Sequence, residues 1–285
     1  MHVPQFRISR RSVTIATALA GVLSLVIGAH AALNMRALDA AKAIATEQDG
    51  LAAKHSSRIA LVIGNGHYPD ASAPLAQPIK DARAWTASLR REGFDVDVVE
   101  DASKDDMSRA VARLKSRIRP DSVVMLFFGG YGVQAGRESY MLPVDAAIWK
   151  EADVRRDGVS VESVLDVMKE RGARAKLVVI DASRRNPYER RFRAFSHGLA
   201  PISAPDNALI LSSVTPGQVA DDSSAQNSVL MAELLNNLNA ETGIESSFNK
   251  TRVAISRASD GVQIPSVSSS LTEDLHFGSI ENAGG

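Results

Sequence analysis

The chain has no cysteine in 285 residues. That excludes disulfides, thiolate metal sites and a thiol nucleophile. Histidine is sparse: the 6 histidines show no HxxxH or HxH spacing, so no zinc site is expected. Excess charge is absent too, with 33 Lys plus Arg against 33 Asp plus Glu. Without a net field, the chain does not read as a nucleic-acid binder. The local basic run Arg190-Arg191-Phe192-Arg193 reads as a solvated loop. No internal repeat or long low-complexity tract is present. What remains is ordinary globular composition, at a length suited to one large α/β domain with an appendage.

The appendage is N-terminal. Arg7, Arg10 and Arg11 precede an uncharged run, Ser12 to Ala31, rich in Ala, Leu, Val and Ile. The run ends in Ala29-His30-Ala31, a small-x-small pattern of the kind signal peptidases cut. Ser9-Arg10-Arg11 weakly resembles a twin-arginine export signal. Uncleaved, roughly twenty residues are just enough to span a bilayer. Residues 1–31 are therefore expected to be a signal peptide or a transmembrane anchor, with the main domain exported. Residues 32–57 are Ala-rich and polar and read as a linker. The domain is expected over 58–277, followed by a disordered Gly-rich tail, 278–285.

Within the domain, hydrophobic periodicity alternates between two kinds. Continuous apolar runs read as buried strands: Arg58 to Gly64, Ser122 to Phe128, Lys176 to Asp181 and Asn207 to Ser213. Phe94 to Val99 alternates like a half-covered strand, and Tyr140 to Val144 reads as a short one. Helical spacing marks Ile79 to Arg91, Ser103 to Ile118, Ser160 to Arg171, Ser228 to Asn239 and Ser246 to Ala258. Strands alternating with amphipathic helices predict a mostly parallel sheet flanked by helices on both faces. In such sheets the working residues lie in loops at the carboxyl ends of strands. Three loops qualify: residues 64–68, 129–132 and 181–184.

These segments carry a resemblance. Leu61-Val62-Ile63-Gly64-Asn65 with Tyr68, Pro78-Ile79-Lys80-Asp81-Ala82, Phe127-Phe128-Gly129-Gly130-Tyr131-Gly132 and Tyr140-Met141-Leu142-Pro143-Val144-Asp145 occur in order. Val179-Ile180-Asp181-Ala182-Ser183-Arg184-Arg185-Asn186-Pro187-Tyr188 follows, then Pro216 to Ala220 and Ser268 to Thr272. Together they resemble the bacterial caspase-like proteins of peptidase family C14, of orthocaspase and metacaspase type, over roughly residues 58–277. The resemblance implies the three-layer caspase-like α/β fold. The N-terminal segment, in turn, leads us to expect a periplasmic location, soluble or tethered to the inner membrane through residues 12–31.

Two departures bear on function. The family's catalytic His and Cys fall at Tyr131 and Ser183, about as far apart as caspases place that pair. A phenol with a pKa near ~10 is a poor base at neutral pH. A serine hydroxyl needs a strong, positioned base. The expectation is a catalytically inactive pseudo-protease. A rebuilt serine hydrolase would need His67 or His197 as base, and an isolated loop histidine is more often a surface or hydrogen-bonding residue.

The resemblance also implies a binding apparatus. The backbone N–H groups of Gly132 and Ser183 match the family's oxyanion-hole donors. Asp81 and Asp181 match the acidic residues that form a pocket for a substrate Arg or Lys. Read without the family, Asp81 is an ordinary first-turn helix residue and Asp181 a strand-end residue bonding loop N–H groups. No cofactor or metal is expected, since no EF-hand-like loop is present. Three functions compete: a binding module for an Arg- or Lys-containing peptide or protein, an endopeptidase cutting after Arg or Lys through Ser183, and a scaffold pairing as a homodimer through an edge strand.

Overall fold

The computed structural model describes residues 57–69, 75–182, 199–216, 226–238 and 242–278. All lie in the compact unit Ser56–Gly285. Residues 12–31, Ser183, His197 and the expected tail beyond residue 278 lie outside the described residues. Among the described residues, no helix is long and apolar enough to cross a membrane.

The elements run β1 (Arg58–Gly64), α1 (Pro78–Arg91), β2 (Asp95–Glu100), α2 (Lys104–Arg117), β3 (Val123–Gly129), β4 (Gly132–Ala135), β5 (Glu138–Met141), α3 (Glu151–Asp157), β6 (Val159–Ser160) and α4 (Val161–Glu170). They continue with β7 (Ala175–Asp181), β8 (Ala208–Ser212), α5 (Val229–Asn237), α6 (Ile244–Ala258) and β9 (Ser266–Ser269). A six-stranded sheet has the order β2-β1-β3-β7-β8-β9. All its pairings are parallel except the last, in which β9 runs antiparallel to β8. A separate antiparallel sheet has the order β4-β5-β6.

The period of two along each strand divides the core into two layers. On β3, Val124, Leu126 and Phe128 face one cluster, with Met107 and Leu114 of α2 and Val164, Leu165 and Met168 of α4. Val123, Met125 and Phe127 face the other, with Trp85 and Leu89 of α1, Leu230 and Leu234 of α5, and Phe248 of α6. A sheet buried on both faces needs continuous apolar runs, which β1, β3 and β7 have. This is the expected three-layer α/β architecture.

Helix starts follow local chemistry. The Ser103 hydroxyl accepts from the Asp106 N–H while the Asp106 carboxylate accepts from the Ser103 N–H, a reciprocal cap on α2. Ser160 and Ser228 cap α4 and α5 from one side only, each hydroxyl accepting an N–H of the first turn. Edge strand β2 is flanked by ion pairs: Arg113 holds Asp97, Arg117 holds Asp95 and Arg83 holds Glu100. Charge on an exposed edge discourages pairing with another chain.

One strand differs from its sequence reading. The segment read as Tyr140 to Val144 pairs only over Glu138–Met141. Beyond it, the Leu142 carbonyl is taken by Tyr68 and Asn65 side chains, Pro143 has no N–H to donate, and the Val144 N–H goes to the Ala102 carbonyl. The chain there bonds to loops rather than to a neighbouring strand.

Candidate functional site

Because β1, β3 and β7 are parallel neighbours, their carboxyl ends bring the loops at Asn65, Gly130 and Ala182 to one rim of the sheet. Close approach there demands glycine. A Cβ at Gly132 would lie 2.6 Å from Leu199 Cδ2 and 2.9 Å from the Ala182 Cβ. One at Gly64 would lie 2.6 Å from the Pro78 carbonyl oxygen, so the first turn of α1 sits directly on the end of β1.

Tyr131 follows β3 at the centre of this rim, and it is only 8% exposed. Its ring meets Tyr68 edge to face, with centroids 4.8 Å apart and planes at 68°. The Tyr68 hydroxyl accepts from the Tyr131 N–H at 3.0 Å and donates to the Leu142 carbonyl at 2.9 Å. The Leu142 N–H returns to the Tyr131 carbonyl at 3.0 Å. Both rings belong to a third apolar cluster, with Leu75, Val133, Tyr140, Leu142, Ile148 and Val154. The ring at position 131 is thus packed within this apolar cluster.

The amides of this loop are turned inward. Gly130 N–H donates to the Asp181 carbonyl at 3.2 Å, Tyr131 N–H to the Tyr68 hydroxyl, and Gly132 N–H to the Ala182 carbonyl at 2.9 Å. The two backbone–backbone bonds, from Gly130 and from Gly132, continue the contact between the β3 and β7 chain segments past the end of the ladder. The N–H expected as an oxyanion donor at Gly132 is therefore committed to Ala182. A tetrahedral oxyanion would have to displace that bond before it could be held. Ser183, the second expected donor and the position matching the nucleophile, lies outside the described residues.

Asp81 and Asp181 are both buried, at 1% and 2% exposure. Asp81 stands in the first turn of α1 and Asp181 closes β7. Asp81 does more than favour its own helix. Its Oδ1 accepts from Asn227 Nδ2 at 2.8 Å and from the Ser228 N–H at 3.0 Å, so it also covers the start of α5. Burial, followed by the charge of Asp181, pushes the Asp81 carboxyl up to about 6, and the bonds from Asn227 and Ser228 only partly offset this. Burial near a second carboxylate thus favours the protonated form of Asp81. Among the described residues, no group of three His, Asp or Glu side chains is placed to hold a metal ion.

His67 is committed elsewhere. Its Nδ1 pairs with Asp101 Oδ2 at 2.5 Å, and Asp101 Oδ1 accepts the N–H groups of Gly66 and His67 at 2.9 Å each. Asp101 follows β2, on the opposite side of β1 from β3 and β7. Adjacent strands are about 4.8 Å apart, so the ends of β1 and β7, two steps apart, are separated by roughly 10 Å. The pairing draws the imidazole away from the strand that precedes position 183.

Asn65 carries weight that its motif alone does not reveal. It is fully buried; its Oδ1 accepts from the Ala102 N–H at 2.8 Å and its Nδ2 donates to the Leu142 carbonyl at 3.1 Å. It ties together the loops after β1, β2 and β5. Asn227 and Ser228, the partners of Asp81, were equally invisible as site residues. The only sequence signal was the Ser228 cap before an apolar helix.

Comparison with known proteins accords with this geometry. The chain is 27% identical over 133 residues to mucosa-associated lymphoid tissue lymphoma translocation protein 1 of Homo sapiens, and equally to its homolog in Mus musculus. The match covers 46% of this chain and 16% of each relative, so the chain accounts for only a small part of their length. A family model, that of the caspase domain of peptidase family C14, matches residues 57–276. That span takes in every strand of both sheets and all the helices described above, and the chain belongs to the caspase-domain family of C14 peptidases.

Proposed function

We propose that this is a catalytically inert caspase-family domain that holds a segment bearing Arg or Lys in the inherited substrate cleft. The observation that carries the inert half is the loop after β3. Its aromatic side chain is packed against Tyr68, and three successive N–H groups are spent on internal acceptors. By family resemblance, Tyr131 stands where the general base belongs and Ser183 where the thiol belongs. A phenol in an apolar cluster neither deprotonates a serine near neutral pH nor moves toward it without breaking that packing. His67 pairs with Asp101 on the β2 side of the sheet, whereas position 183 follows β7, so its place in the fold does not favour a substitute base.

The binding half is supported by Asp81 and Asp181. Buried carboxylates whose mutual repulsion raises one of their pKa values are relieved by a guanidinium or ammonium group. The N-terminal segment points to an exported domain, periplasmic and either free or tethered. Fluorescence anisotropy with labelled peptides carrying a single Arg or Lys tests the binding reading. Saturable binding that Asp181→Ala abolishes is expected. Absence of binding to every such peptide would refute it.

A further inference from the structure

Beside Asp81 lies an open groove of about 770 Å³. Lys80, Arg83 and Ala84 line one side, and Gln226 and Asn227 the other. The helical wall follows from spacing. Residues 80, 83 and 84 stand at i, i+3 and i+4 on α1 and so share a face, while Asp81 is rotated off that face into the core.

The charges in the groove are not equivalent. Arg83 is held in a two-pronged pair by Glu100, through Nε at 2.7 Å and Nη2 at 2.6 Å, and its charge is largely answered. Lys80 is exposed on the same wall, and among the described residues no carboxylate pairs with it. Among the described residues, the opposite wall brings the neutral amides of Gln226 and Asn227. Among the described residues, the groove therefore presents the Lys80 ammonium without a carboxylate partner and with amide donors facing it, which suits a carboxylate.

Asn227 links this groove to the buried acids. It lines the groove, and its Nδ2 donates to Asp81 Oδ1 at 2.8 Å. Gln77 Nε2 fixes the Asn227 backbone by donating to its carbonyl at 3.3 Å. A single side chain thus separates the place for a cation from the place for an anion. One extended segment could fill both only if its basic and acidic residues were close neighbours in sequence.

We infer that the Lys80 groove is an acidic subsite, so that the domain selects a basic residue with Asp or Glu within one or two positions of it. The inference rests on the reading that the Asp81–Asp181 cleft takes Arg or Lys, and it adds a second determinant of which basic segments bind. The gain is that of one partly solvated ion pair, about three- to fivefold in affinity. It shrinks at high salt, since the Debye length is about 3 Å at 1 M.

The test uses the full chain and a panel of labelled peptides with a single Arg, in which Asp or Ala occupies each of the two positions on either side. The readout is the ratio of affinities, Asp-flanked to Ala-flanked. For at least one placement the ratio should be about three to five at low salt, fall toward one in high salt, and drop below one in Lys80→Glu. Lys80 is exposed, so that variant is expected to fold, and thermal unfolding checks that it does. A ratio near one at every placement, or a preference that survives Lys80→Glu, would overturn the subsite while leaving the basic cleft intact. No measurable binding of any Arg peptide would overturn the cleft itself and the subsite with it.

Discussion

Tyr131 and Tyr68 meet edge to face at 4.8 Å, and the hydroxyl of one receives the backbone N–H of the other. This couples a ring contact to a main-chain bond at the rim of the sheet. If position 131 is a packing position, removing the ring should cost stability at once. Tyr131→Ala is expected to lose about 3–5 kcal/mol, the range for deleting a large buried ring. Tyr131→His should lose about 1–3 kcal/mol, because imidazole fills less of the cluster and brings a polar atom into it. Urea unfolding monitored by circular dichroism measures both. A Tyr131→His variant as stable as wild type would mean that the cluster accommodates imidazole without strain.

The pH dependence of stability should carry the mark of Asp81. Its carboxyl titrates at about 6 in the folded state, above the ordinary ~3.9 of an unfolded chain. The folded state therefore holds this proton more tightly. The stability it contributes is fully present below about pH 4 and is lost as the pH rises through about 6. Asp81→Asn removes this dependence. The melting temperature of wild type minus that of Asp81→Asn should fall steadily between pH 4 and pH 7. An increase over that interval would mean that the bonds to Asn227 and Ser228, and not burial beside Asp181, govern the site.

A second acid on the rim should behave in the opposite sense. Burial pushes the Asp101 carboxyl upward, but the N–H groups of His67 and Gly66 and the His67 imidazole outweigh it and hold it below the usual range. Its contribution is present above the unfolded-state value and is lost as the pH falls through the lowered one. Asp101 also has a φ of 48°, a left-handed conformation that Asn tolerates and most residues do not. Asp101→Ala is therefore expected to cost about 1–3 kcal/mol, and Asp101→Asn clearly less. Equal losses would show that neither the backbone conformation nor the remaining acceptor matters.

The layered sheet was legible because its strands are long enough to display a period. Runs such as Val123 to Phe128 can only be buried on both faces, and the helices between them show one apolar stripe each. The small sheet was not. Its strands span four, four and two residues, too few to separate a period of two from chance. Edge strand β9 is Ser-Val-Ser-Ser, whose pairing with β8 comes from its place in the fold rather than from β-propensity. In the candidate site, residue identities at positions 131, 181 and 183 could be aligned with a family pattern. Which N–H groups were already satisfied could not. The bond from Gly132 to the Ala182 carbonyl depends on the closeness of two strand ends 50 residues apart in sequence.

Under the proposed function, the cleft binds and does not cut. The most direct measurement is turnover of fluorogenic Arg and Lys peptides by the pure chain, beside a Ser183→Ala variant prepared in the same way. The account predicts no hydrolysis by wild type above the level of Ser183→Ala, at any pH between 5 and 9. Turnover that Ser183→Ala abolishes would contradict it and would make this domain a serine-dependent peptidase.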